Sequence, residues 1–84
     1  MPHVSIQHFS RTFSETEKAE LVEALTETVT RVFGTGPEAV SIAVEPVDPS
    51  RWTELVWQPQ IEARPHLLWK QPGYTPNATT EGTQ

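Results

Sequence analysis

Val4 and Ile6 alternate with Ser5 and Gln7 near the start of the chain, the period-two signature of a half-buried β-strand over His3–Phe9. The period then changes. In "SRTFSETEKAELVEALTETVTRVFGTG", Leu21, Leu25, Val29 and Val32 recur at helical spacing with Val22 and Phe33 alongside, and Glu15, Glu17, Glu20, Glu23 and Glu27 fill most of the rest. Ser14-Glu15-Thr16-Glu17 has capping-box spacing, and Gly34 and Gly36 supply the stop. Glu27 and Arg31 form a favourable i,i+4 pair. "EAVSIAVEPV" returns to alternation: Val40, Ile42 and Val44 share one face, Ser41, Ala43 and Glu45 the other, ending near Pro46.

Strand, helix and strand in that order predict a right-handed βαβ unit with parallel strands. A two-stranded parallel sheet is not stable alone, so its completion by a partner subunit is expected. Past Pro49 the pattern weakens, in a stretch that holds Trp52, Trp57 and Trp69 among Pro49, Pro59, Pro65 and Pro72. Pro49 suits the first turn of a short helix over Ser50–Val56. Pro59 is placed to open a second helix with Ile61, Leu68 and Trp69 facing inward, and Pro65 to kink it. The expected architecture is one α/β (α+β) domain over residues 1–74, a βαβ unit with short C-terminal helices, and a tail over 75–84 without apolar periodicity.

Composition narrows the options. A chain of 84 residues buries a small core, and with no cysteine it has neither disulfides nor thiolate metal sites to reinforce it. Self-association is the expected source of further burial. Eleven acidic against six basic side chains, a net charge of −5, argue against nucleic-acid binding, which depends on cations neutralising phosphates. No signal peptide and no apolar run of about 20 residues is present, so a soluble cytoplasmic protein without membrane contact is expected. Asn77-Ala78-Thr79 matches a glycosylation sequon and, without a secretion signal, reads as chance. His3 and His8 stand at odd spacing on a strand, on opposite faces, so no metal site is expected from them or from His66.

Pro2 is the residue with chemical potential. If the initiator methionine is removed, its ring nitrogen becomes a secondary amine. A reference α-amino group titrates near 8, within reach of a working base at neutral pH. The rigid ring has few conformers, which aims its lone pair in advance. With Met1 retained the same nitrogen is an amide and has no basicity.

Met-Pro, a short strand, a capped helix, a glycine stop and a second strand, in "MPHVSIQHFSR", "SETEKAELVEALTETVTRV", "VSIAV" and the turn Pro49-Ser50-Arg51-Trp52, resemble the 4-oxalocrotonate tautomerase family. The likeness runs over residues 2–74 and is greatest to its small dimeric PptA-type members. It implies a cofactor-independent tautomerase or isomerase that moves a proton in a small enol or unsaturated 2-oxo acid. Pro2 then corresponds to the general acid/base, and Arg11 to the ligand of a substrate carboxylate. Ser41 stands where hexameric members carry a carbonyl-polarising arginine, and a hydroxyl is a weaker electrophile than a guanidinium. Trp52 corresponds to an aromatic wall beside the base. Trp57 and Trp69 read as packing, and Arg51 and Arg64 as substitute carboxylate ligands. A homodimer is favoured over a hexamer. Two other readings stay open: a non-catalytic homo-oligomer of the same fold if Met1 is retained, or a hydration, dehalogenation or biosynthetic isomerisation using Glu45 or Asp48.

Overall fold

In the computed structural model, residues 1–75 are described; the sequon at Asn77 and all of the expected tail beyond Thr75 lie outside them. The described chain falls into two compact units, Met1–Pro46 and the part from Val47 onward.

In the first unit, strand β1 (His3–Phe9) and strand β2 (Ser41–Val47, whose last residue opens the second unit) form a two-stranded parallel sheet. Helix α1 (Glu15–Phe33) connects them. The capping box forms: the Ser14 hydroxyl accepts from the Glu17 N–H at 3.1 Å and the Glu17 carboxylate accepts from the Ser14 N–H at 2.9 Å. At the other end Gly34 adopts φ 68° and ψ 39°, the left-handed conformation that a side chain disfavours. The N–H groups of Gly34 and Thr35 both close on the Thr30 carbonyl, at 3.0 and 3.1 Å. A 3₁₀ turn, Pro37–Ala39, takes up the residues before β2. Pro46 contributes no N–H to the ladder, which β2 tolerates because it pairs on one side only.

The alternation expected for both strands sorts side chains as predicted. Ile42, Val44 and His8 line a cavity with Leu21 and Val22 of α1, so this face of the sheet looks toward the helix. His3 and Ser41 meet on the opposite face. Yet the apolar stripe of α1 is poorly covered. No helix residue is fully buried, and Val32 and Phe33 are each 66% exposed.

The second unit opens with a 3₁₀ turn, Pro49–Arg51, capped by Asp48, whose carboxylate accepts from the Ser50 N–H at 2.9 Å and the Ser50 hydroxyl at 2.7 Å. Here the structure departs from the sequence expectation. Instead of two helices meeting at Pro59, one π-helix, Thr53–Glu62, runs through that proline. The Ala63 N–H reaches back five residues to the Gln58 carbonyl at 2.9 Å. A proline inside an α-helix loses one hydrogen bond and crowds the carbonyl four residues earlier; a wider turn eases that conflict. Pro65 begins a separate 3₁₀ turn, Pro65–Leu67. Ile61 and Leu68 are half-buried as expected, but Trp69 is 97% exposed and does not pack inward. Among the described residues only Val47 and Val56 are buried.

Candidate active site

Pro2 sits half-buried at the head of β1, and its carbonyl accepts a hydrogen bond from the Ser41 N–H at 3.2 Å. That bond extends the sheet one residue beyond β1 and fixes the position of Pro2 relative to β2. Met1, immediately upstream, is fully exposed, so its removal disturbs no packing. Were Met1 removed, the resulting amine would be carried by a residue whose own carbonyl is anchored to the neighbouring strand.

The same register brings His3 and Ser41 together, with His3 Nδ1 2.7 Å from Ser41 Oγ. Both side chains are exposed on the face away from α1. Farther along that face, Gln7 Nε2 donates to Ser5 Oγ at 2.8 Å. The open face of β1 is thus a polar row that begins at His3. From the sequence, His3 has no role beyond its exclusion as a metal ligand. Its pairing becomes visible once the strands are in parallel register with residues 3 and 41 at their respective heads.

Arg11 lies at the other end of β1. The six steps from His3 to Phe9 at about 3.3 Å each put roughly 20 Å between the two ends of the strand. There Arg11 pairs with the Glu17 carboxylate at 3.1 Å and rests its guanidinium 4.3 Å above the Phe13 ring centre. Phe13 in turn takes His8 edge-on, ring centres 5.3 Å apart. Arg11, Phe13 and His8 border a cavity of about 490 Å³ whose apolar wall includes Leu21 and Ile42. The Ser14 N–H first, and then the nearby guanidinium of Arg11, hold the Glu17 carboxyl below the usual glutamate range. Within one protomer, then, Pro2 and Arg11 occupy opposite ends of the strand, while Pro2 and Ser41 are neighbours.

Trp52 belongs to the second unit. It is half-buried, and its indole N–H donates to the Tyr74 hydroxyl at 3.0 Å. The Tyr74 ring also meets Trp57, centres 5.4 Å apart and planes tilted by 49°. Arg51 is engaged by Glu54 at 3.1 Å, and Arg64 donates to Gln60 at 3.2 Å. The Ser50 hydroxyl and N–H hold the Asp48 carboxyl below its ordinary range, so Asp48 stays ionised and is committed to capping. Among the described residues no group of three or more His, Asp or Glu side chains is arranged to hold a metal, and no helix is long and apolar enough to cross a membrane.

The sequence is similar to known proteins over almost all of its length. A family described as "Tautomerase enzyme" matches residues 2–53, a span that contains Pro2, Arg11, Ser41 and Trp52. Tautomerase PptA of Pectobacterium carotovorum is 39% identical over 77 residues, covering 89% of this chain and 99% of that protein. Tautomerase PptA of Escherichia coli K12 is 33% identical over 78 residues, covering 93% of this chain and 100% of that protein. The Klebsiella pneumoniae protein of the same name is 37% identical over 75 residues.

Proposed function

Because the chain belongs to the tautomerase family, we propose that it is a cofactor-independent tautomerase of small enols or unsaturated 2-oxo acids, with Pro2, freed of Met1, as general acid/base. The observation that carries the reading is the bond from the Ser41 N–H to the Pro2 carbonyl, which holds residue 2 beside the second strand. In the ketonising direction the amine of Pro2 takes the enol O–H proton, and the ammonium so formed then delivers that proton to the substrate carbon, which returns the free amine. The C=O bond forms as the C=C bond gives up its electron pair to the new C–H bond, and no proton is gained or lost overall.

Ser41 is the hydrogen-bonding group for the substrate oxygen beside Pro2. Arg11 is the carboxylate ligand, and because β1 separates it from Pro2 within a protomer, it reaches the base from a second copy. A monoanionic substrate of the phenylenolpyruvate type suits one cation, with its apolar bulk against Trp52. Self-association is further supported by the open two-stranded sheet and by the exposed Val32 and Phe33 of α1. The assembly is a homodimer in preference to a hexamer. Light scattering coupled to size exclusion tests it, and a monomer would contradict it.

Two measurements decide the activity. Intact mass is expected to show loss of Met1; a chain that keeps it has an amide at Pro2 and is a non-catalytic member of the family. Ketonisation of phenylenolpyruvate by the processed protein is expected to slow at least about a hundredfold in Pro2→Ala, the scale of a lost general acid/base. Equal rates in the two proteins rule out Pro2 as the base.

A further inference from the structure

We propose that His3 is a positioning residue of the active site, which donates from Nδ1 to Ser41 Oγ and thereby turns the single proton of that hydroxyl toward the substrate oxygen. The inference rests on the reading of Pro2 as the base. It assigns a role to a histidine that the proposed mechanism does not otherwise use.

The argument starts from the number of protons a hydroxyl carries. Ser41 has one O–H to donate and lone pairs to accept with. Its Oγ lies 2.7 Å from His3 Nδ1, so one of the two groups must donate to the other. If Ser41 donated to the ring, its only proton would face His3 and nothing would remain for a substrate oxygen. If Nδ1–H donates to Oγ, the serine proton is left to point elsewhere, and the chain Nδ1–H to Oγ, O–H to substrate oxygen runs in one direction. Hydrogen bonds in such a chain polarise one another, making the hydroxyl a better donor than an isolated serine. That arrangement partly makes up for a hydroxyl standing where a guanidinium would carry a full charge.

The strands also place the pair where it is needed. Ser41 supplies its N–H to the Pro2 carbonyl while its side chain meets residue 3, so the base and the oxygen donor are built on one pair of adjacent strand heads. Because the oxygen gains negative charge as its proton leaves, a better donor there acts in the transition state. Its loss belongs in kcat more than in KM.

The experiment uses phenylenolpyruvate ketonisation by processed protein with Pro2→Ala, Ser41→Ala, His3→Ala, His3→Asn and the double variant His3→Ala/Ser41→Ala. An asparagine amide places an N–H donor where Nδ1 stands. His3→Ala is expected to lower kcat about tenfold with little change in KM, and His3→Asn to restore most of it, as loss and return of one such hydrogen bond require. In the Ser41→Ala background, His3→Ala is expected to change nothing further, because His3 acts only through the hydroxyl. Nitrogen-15 spectra of the His3 ring should show Nδ1 protonated in the free enzyme. An unprotonated Nδ1, a His3→Ala rate equal to wild type, or a further loss in the Ser41→Ala background each overturns the inference while leaving Pro2 as the base. Pro2→Ala with a wild-type rate removes the base reading itself, and the inference with it.

Discussion

The Arg11 guanidinium lies 3.1 Å from the Glu17 carboxylate, which ties the candidate substrate cation to the first turn of α1. A substrate carboxylate that binds Arg11 has to compete with that neighbour. Glu17→Gln keeps the capping box, since glutamine also serves at this position, but removes the competing charge. The exposed pair is weak, so KM is expected to fall about two- to fivefold with kcat unchanged. Steady-state kinetics at low ionic strength measure this. A raised KM would mean instead that Glu17 orients Arg11 for binding.

Glu17 and Asp48 are both held below their ordinary carboxylate range in the folded protein. For a depressed folded pKa the sign is fixed: the stabilisation is complete above the unfolded values and disappears as the pH falls through the lower folded ones. The urea midpoint is therefore expected to fall on acidification below the ordinary values of 4.5 for Glu17 and 3.8 for Asp48. Glu17→Gln should flatten part of this slope. A midpoint insensitive to the substitution across that window would show that the Ser14 and Arg11 contacts contribute no pH-dependent stability.

The two ends of α1 depend on single residues. Gly34→Ala forces a side chain into the left-handed region at φ 68° and is expected to cost about 1 kcal/mol. Ser14→Ala removes the hydroxyl that accepts from the Glu17 N–H and is expected to cost a similar amount, about 1 kcal/mol. Chemical denaturation measures both. The sites are far apart along the helix, so the double variant should show the sum.

Tyr74→Phe deletes the acceptor of the Trp52 indole N–H while keeping a ring against Trp57. Tyr74 is 48% exposed, so water takes over part of the lost bond and the cost stays at or below about 1 kcal/mol. Tyr74→Ala also removes the ring. Tryptophan emission is expected to move to longer wavelength in Tyr74→Ala and hardly at all in Tyr74→Phe.

The first unit was legible in the sequence because its signals are local. The alternation of Val4 and Ile6, the Ser14–Glu17 box and Gly34 each act within a few residues, and each forms as its spacing dictates. The second unit was less legible because proline has more than one meaning. Pro59 suits a helix start as well as a widened helical turn, and the five-residue closure from Ala63 to Gln58 leaves no trace in apolar spacing. Trp69 misled for a related reason: aromatic character predicts burial but does not say against what, and within the chain it is exposed. At the candidate site Pro2 stands out through its chemistry together with the family resemblance. The His3–Ser41 pair does not, since residues thirty-eight apart meet only after the strand register is known. Pro2 and Arg11, by contrast, flank opposite ends of β1, a separation that the length of the strand alone gives.

Val47 and Val56 are the described chain's only buried apolar side chains, which is little to hold an isolated protomer together. If the proposed dimer forms, folding and assembly are coupled, and protein concentration enters the melting temperature as it does for an obligate complex. Tenfold dilution of that dimer should then lower the melting temperature measurably, and activity per chain should decline at high dilution if, as proposed, Arg11 of one copy serves Pro2 of another. In such a dimer the concentration at which the protein is made would set how many complete active sites exist, and not only how many chains.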